Sequence, residues 1–266
     1  MIKRVMKSLL MGMVTMSLLS DPICVGAVSP VTILGEDEAD METAEGNCLF
    51  ASVYVDVDPY MGSGFIIDVT DFYIYIMTNR HVAEKNKSNP MIVFADGTRV
   101  SARFVRADKQ DDIAVLRVDR RDVHDALEDR LQSVVFRENR TAVKPGERIG
   151  IVARNVNQSV YMSDGEVEAA SYDCYFTGEG MIEGMLGTYA SKGGTSGSAV
   201  LDSRGYLVGI HKGTTTNGYA FFLTADKVWD EYTEVHQDAK EMEILIDRSG
   251  DVEQRPGEVG ENQGNT

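Results

Sequence analysis

Gly193-Gly194-Thr195-Ser196-Gly197-Ser198-Ala199-Val200 sets one serine among glycines, directly before an apolar run that reads as a strand, Ala199-Val200-Leu201. A serine hydroxyl is a poor nucleophile at neutral pH. It needs an adjacent base to take its proton and donors to hold the oxyanion that forms. Glycines allow positive φ and close backbone approach, so neighbouring N–H groups can converge on one point. Read alone, the string is more often a Gly/Ser turn between strands. What decides is whether the chain supplies the partners.

There are four histidines: His81, His124, His211 and His236. His124 falls in a charged stretch and reads as a surface residue. His236 ends a helical pattern, where a cation suits the dipole. His81 follows Met77-Thr78-Asn79-Arg80, just past an apolar strand, which places it rigidly. Asp112 opens another strand, Ile113 to Val118. A carboxylate there accepting a ring N–H fixes the tautomer that serves as base, and Asp111 beside it is an equal candidate on position alone.

Around these residues the chain is strand-rich. Leu49 to Val55 reads as a first strand, Gly62-Ser63-Gly64 as a turn, Phe65 to Ile67 as a second strand and Phe72 to Met77 as a third. Met91 to Phe94, a turn at Ala95-Asp96-Gly97-Thr98, and a return strand from Val100 to Val105 form a hairpin. Residues 119–134 differ: Val123, Leu127, Leu131 and Val134 recur at helical spacing, as in an amphipathic linker. Strands resume at Arg148 to Ala153, Ser159 to Met162, Gly165 to Ala170, Ala199 to Leu201, Tyr206 to His211 and Tyr219 to Leu223. The glycine-rich stretch Gly178 to Gly187 reads as a mobile loop, or as a segment whose ordering controls the oxyanion donors. A closing helix presents Val228, Tyr232 and Val235 on one face.

Thr78-Asn79-Arg80-His81-Val82-Ala83, then Asp112-Ile113-Ala114-Val115-Leu116, then Gly194-Thr195-Ser196-Gly197-Ser198 resemble, in that order, the three signature segments of trypsin-like serine peptidases. The nearest branches are HtrA-like peptidases and staphylococcal-type glutamyl endopeptidases. The likeness runs over about residues 48–236 and includes Gly62-Ser63-Gly64-Phe65 and Leu207-Val208-Gly209-Ile210. Three motifs in order are specific in combination.

The resemblance implies an all-β fold: two six-stranded antiparallel β-barrels, the site in the cleft between them, and a C-terminal helix. Barrel one spans about 48–118, a linker 119–140, barrel two 141–223 and the closing helix 224–236. It implies Ser196 as nucleophile, His81 as base and then acid, Asp112 as orienting carboxylate, and the N–H groups of Gly194 and Ser196 as oxyanion hole. A substrate pocket falls at Ser191, His211 and Gly213. Glutamyl endopeptidases carry a histidine in a Gly-Ile-His string, and Gly209-Ile210-His211 matches it, so cleavage after acidic residues is an expectation by analogy; the alternative is that His211 is a buried strand residue and the pocket takes a small apolar side chain, as in HtrA-like enzymes. Lys212 adds positive charge near the same pocket. The partner is a protein or peptide substrate, with no cofactor and no metal. Gly197-Ser198-Ala199 departs from the family's usual Gly-Gly-Pro after the nucleophile.

Composition bounds the rest. The chain has 266 residues, 43% of them hydrophobic, and a formal net charge of -16, which argues against nucleic-acid binding. Lys3, Arg4 and Lys7, an apolar stretch from Leu9 to Leu19 and Val25-Gly26-Ala27 read as a signal peptide over 1–27. After its removal no stable membrane association is expected, and the protein is secreted or periplasmic. Residues 28–47 form an acidic lead-in or pro-segment, and 237–266 a polar tail. Cys48 and Cys174 would remain; an exported protein permits their pairing without requiring it. The competing readings are a catalytically silent peptide-binding protein on the same fold and a non-peptidase hydrolase. The order His, Asp, Ser and the lack of a βαβ pattern argue against an α/β-hydrolase.

Overall fold

The computed structural model describes residues 48–84, 89–123, 127, 131–137, 139–140, 143–154 and 159–236. The expected signal segment, acidic lead-in and polar tail lie outside these residues, as does His124.

Seven strands build the first unit: β1 (Ser52–Val57), β2 (Tyr60–Val69), β3 (Tyr73–Asn79), β4 (Met91–Val93), β5 (Arg99–Ser101), β6 (Arg103–Asp108) and β7 (Ile113–Asp119). Their sheet order is β5-β4-β1-β2-β3-β7-β6. The two edge strands, β5 and β6, are separated in the chain by Ala102 alone, so the sheet curls until its edges meet. The expected single return strand is therefore two, and the unit has seven strands in place of six. Residues 48–51 are helical, so β1 starts later than its apolar pattern suggests.

The expected turn at Gly62-Ser63-Gly64 is instead strand, inside β2. A Cβ on Gly62 would lie 2.6 Å from Val82, and one on Gly64 2.9 Å from the Met77 carbonyl. These glycines mark close approach, not a bend.

The second unit is a closed six-stranded barrel, ordered β10-β13-β12-β11-β8-β9. Its strands are β8 (Arg148–Arg154), β9 (Val160–Phe176), β10 (Gly180–Gly187), β11 (Ala199–Asp202), β12 (Leu207–Thr214) and β13 (Ala220–Thr224). Two expected strands merge into the 17-residue β9. The stretch read as a mobile loop is β10, paired with β9 from Gly180↔Phe176 onward. Its glycines are again packing residues: a Cβ at Gly184 would meet the Phe222 carbonyl at 2.5 Å.

Barrel two has its own interior of Ile149, Ile151, Val167, Tyr189, Val200, Val208 and Phe222. Each large apolar side chain so buried contributes roughly 1.5–3 kcal/mol. In the linker, Val123, Leu127 and Val134 are buried as their spacing requires, although the described residues there form only a short 3₁₀ turn at Arg120–Asp122 and a helical Leu127. Besides α1 (Arg80–Ala83), a closing helix α2 covers 225–236. Val228 and Val235 are buried on it. Arg106 ties β6 to α2 through Glu231 at 2.5 Å and Glu234 at 2.6 Å. Cys48 Sγ reaches the Gly205 carbonyl at 3.4 Å, and Cys174 is a free thiol on β9.

Candidate active site

Sheet register brings the first two candidates together. β3 and β7 are antiparallel, with Asn79 opposite Ile113. The chain therefore leaves β3 toward His81 at the same end of the sheet where it enters β7 from Asp112. Asp112 has a φ of 56°, in the left-handed region that Asp tolerates better than most residues. That bend turns its carbonyl and its carboxylate toward one neighbour, the start of α1. The carbonyl accepts from Arg80 N–H at 2.9 Å and from Asn79 Nδ2 at 3.2 Å. Oδ1 accepts from the His81 backbone N–H at 2.8 Å, and Oδ2 from His81 Nδ1 at 2.5 Å. A carboxylate only accepts, so Nδ1 carries the proton and Nε2 is left with its lone pair.

Asp111 faces elsewhere. It pairs with Lys227 of α2, which braces the turn from outside. Geometry thus separates two carboxylates that position in the chain did not. Burial pushes the Asp112 carboxyl up, but the hydrogen bond and charge of His81, and those of Lys212, outweigh it and hold the group below the ordinary carboxylate value.

Ser196 comes from barrel two. Ala199 of β11 lies opposite Ile210 of β12, Gly197 N–H donates to the His211 carbonyl at 2.9 Å, and His211 N–H to the Ser198 carbonyl at 2.9 Å. The serine loop is thereby zipped to the end of β12. Its other side presses on barrel one. Ser63 N–H donates to the Ser196 carbonyl at 2.8 Å, and Ser63 Oγ lies 2.8 Å from the Gly194 carbonyl. Ser63 Oγ also accepts from Arg154 N–H at 3.0 Å. Ser63, expected in a turn within the Gly62-Ser63-Gly64-Phe65 likeness, is buried between the barrels and grips the loop from both backbone and side chain.

Gly194 sits at φ +92°, and nothing lies within 4 Å of a Cβ built there or on Gly193. Among the described residues, the N–H groups of Gly194 and Ser196 donate to no other protein group.

Ser196 Oγ donates to the Lys212 carbonyl at 2.9 Å and makes no hydrogen bond to His81. The three candidates are nonetheless joined through one residue, because the Lys212 ammonium is bonded to Asp112 Oδ2. Lys212 does not stand in a substrate pocket. It is 4% exposed, pairs also with Glu179 at 2.6 Å, and lies 4.5 Å from the Phe176 ring centre. Glu179 comes from the turn of the β9–β10 hairpin, the segment read as a loop. The sequence places Lys212 as a charge near the substrate pocket; instead its ammonium is turned inward onto Asp112 and Glu179, partners that its sequence neighbours do not reveal. Ligand-type atoms of His81, Asp112 and Glu179 lie within 4.8 Å of one another, but the Lys212 ammonium already meets both carboxylates.

The pocket candidates are partly assembled. Ser191 Oγ and Thr214 Oγ1 are 2.5 Å apart, Ser191 half-buried and Thr214 exposed. A Cβ on Gly213 would meet only the Phe176 ring, at 3.9 Å, so one side of the strand is open. His211 is 1% exposed, and its Nδ1 lies 3.0 Å from the Tyr189 hydroxyl. Burial first, and the neighbouring His81 second, push it from 6.5 down to about 3, so it is neutral.

Comparison with known proteins agrees with this architecture. The trypsin-like peptidase domain model matches residues 62–210, more than half of the chain. A serine protease Do-like HtrA of Bacillus subtilis is 30% identical over 158 residues, 59% of this chain and 34% of its own length. The pro-apoptotic serine protease NMA111 of Chaetomium globosum is 28% identical over 181 residues, 65% of this chain and 17% of its own. The chain thus spans about a third or less of these relatives. The crystal structure of an inactive form of M. tuberculosis Rv3671c superposes with a TM-score of 0.58 at 17% identity, covering 76% of this chain and 95% of that one, which speaks to the fold. The order of the three segments, the two β units and the matched domain lead to one assignment: the chain belongs to the trypsin-like peptidase domain family.

Proposed function

We propose that the protein is an exported serine endopeptidase. Ser196 attacks the peptide carbonyl while His81 Nε2 takes its proton. Asp112 holds the imidazole through Nδ1 and stabilises its charged form. The N–H groups of Gly194 and Ser196 receive the oxyanion, each such donor contributing about 3–4 kcal/mol in the transition state. His81 then hands its proton to the leaving amine, and water hydrolyses the acyl-enzyme by the same relay.

The observation that carries this reading is the 2.5 Å bond from His81 Nδ1 to a buried Asp112 carboxylate, with Ser196 one residue away through Lys212. Ser196 rests on the carbonyl of Lys212, an acceptor near the open end of β12. A substrate laid along β12 as an added strand competes for that carbonyl. Its amide displaces the hydroxyl, which then turns to His81. A silent peptide-binding role would not require an oriented base.

Export rests on the N-terminal pattern over 1–27. No helix among the described residues is long and apolar enough to cross a membrane. For the residue before the cut, the reading keeps an acidic side chain, held by the Ser191 and Thr214 hydroxyls, while His211 is buried and neutral. That preference works through neutral donors, since Lys212 is committed to Asp112.

The test is labelling with a fluorophosphonate probe and digestion of a protein-derived peptide mixture. Labelling at Ser196, lost in His81→Ala, with new peptide ends, is the expected result. Labelling without any cleavage would return the protein to the hydrolases of other substrates. Cleavage equal or better after Val or Leu would remove the acidic preference alone.

A further inference from the structure

The Lys212 ammonium shares Asp112 Oδ2 with His81, and Glu179 closes the cluster from the hairpin tip. We infer that Lys212 is a positioning residue that, acting through this shared oxygen, sets the pH range in which His81 serves as base, with Glu179 as its counterweight. The inference rests on the reading of His81 and Asp112 as catalytic.

Charge decides the direction. Lys212, Asp112 and Glu179 together carry one net negative charge, beside an imidazole that alternates between neutral and positive. The remaining charges around them are largely spoken for. Arg80 pairs with Glu84 at 2.8 Å and reaches Glu179 at 3.8 Å. Asp111 pairs with Lys227. His211 is buried and neutral, and Cys174, on β9 below Lys212, is pushed up by burial and so uncharged. An opposite charge within about 4–6 Å favours an ionised group by roughly 1–3 units, and a like charge disfavours it. Glu179 offers an oxygen within 4.8 Å of both His81 and Asp112, so it falls in that range.

Removing the lysine leaves two uncompensated carboxylates beside the imidazole. They hold its proton to higher pH, and the base is then blocked under milder conditions. Removing Glu179 has the opposite sign, because Lys212 and Asp112 then cancel. Removing both restores one net negative charge. A side chain that merely fills space would lower activity without moving a titration in opposite directions.

The experiment compares the parent with Lys212→Met, Lys212→Arg, Glu179→Gln and the Lys212→Met/Glu179→Gln double variant. Two readouts are taken: the acid limb of kcat/KM, and the NMR titration of the His81 ring, identified by its loss in His81→Ala. In Lys212→Met both are expected to move up by about one pH unit, and in Glu179→Gln down by a similar step. Lys212→Arg and the double variant stay near the parent. Midpoints that stay put, or that move the same way in both single variants, overturn the inference. If Lys212→Met does not fold, Glu179→Gln, which keeps the shape of a largely buried side chain, still decides it by its sign. Should no variant turn over peptide while the ring titration moves as stated, the peptidase reading fails and the electrostatic role of Lys212 stands.

Discussion

Ser196 Oγ donates its proton to the main-chain carbonyl of Lys212, 2.9 Å away, and not to His81. The nucleophile is therefore parked on an acceptor that a strand-like substrate would use. A ligand able to take over that carbonyl should be rewarded with faster chemistry. A peptidyl phosphonate whose amide N–H can pair with Lys212 is expected to label Ser196 about tenfold faster than its N-methyl counterpart, the worth of one hydrogen bond. Equal second-order rates for the two reagents would mean that the hydroxyl is not held in this way.

Asp112→Asn separates charge from shape. Asparagine tolerates the left-handed backbone at φ 56° and can still accept from the His81 backbone N–H. It loses the negative charge and favours the wrong ring tautomer. In the Ser-His-Asp template the matching change drops kcat about 10⁴-fold. A loss of that order is expected, together with a lower melting temperature, because the buried Lys212 ammonium loses a charged partner. A loss under tenfold would show that Asp112 is not the orienting group.

How much of this could be read beforehand depended on how local the signal was. His81 follows an apolar strand and Asp111-Asp112 precedes another, so two short strings brought the candidates close; antiparallel register and the bonds to His81 favour Asp112 over Asp111. Ser196 was visible for the same reason. Lys212 and Glu179 were not, because a charged residue reveals its burial only when its partners are known, and these lie 100 and 33 residues apart. The β9–β10 hairpin was hidden by its glycines. Gly184 and Gly62 are small because another backbone or side chain passes close by, which a single chain does not announce. The seventh strand arose from a break at Ala102, inside an unbroken β pattern.

His211 makes folding stability depend on pH. Its folded value is about 3 against an ordinary 6.5, so between these limits the unfolded chain binds a proton that the folded chain refuses. Stability is fully present above about pH 6.5 and falls as the pH drops toward 3. The slope from this group is at most about 1.4 kcal/mol per pH unit. His211→Gln keeps a polar partner for Tyr189 and does not titrate. Urea unfolding of both proteins across this window should show a shallower decline in the variant. Parallel curves would mean that His211 takes up its proton in the folded state without penalty. The depressed Asp112 carboxyl also loses stabilisation in acid, but equally in both proteins.

Two glycines of the serine loop make the sharpest contrast. At Gly197, φ is +88° and a Cβ would stand 2.1 Å from the Ser63 carbonyl oxygen and 2.4 Å from Thr78 Oγ1. The obstructing groups are backbone and a buried hydroxyl, so neither yields cheaply. Gly197→Ala must push the loop off barrel one, breaking the Ser63 N–H bond to the Ser196 carbonyl that holds the nucleophile against the cleft. At Gly193 no atom lies within 4 Å of an added Cβ. Gly193→Ala is expected to fold as the parent does, within about 0.5 kcal/mol as for an ordinary surface change. Gly197→Ala is expected to lose more than about 2 kcal/mol and at least a hundredfold in labelling rate, since a small misplacement of the reacting atom is costly. Denaturation and probe labelling on the two variants side by side check this, and a Gly197→Ala protein as stable and reactive as the parent would show that the barrels do not clamp the loop.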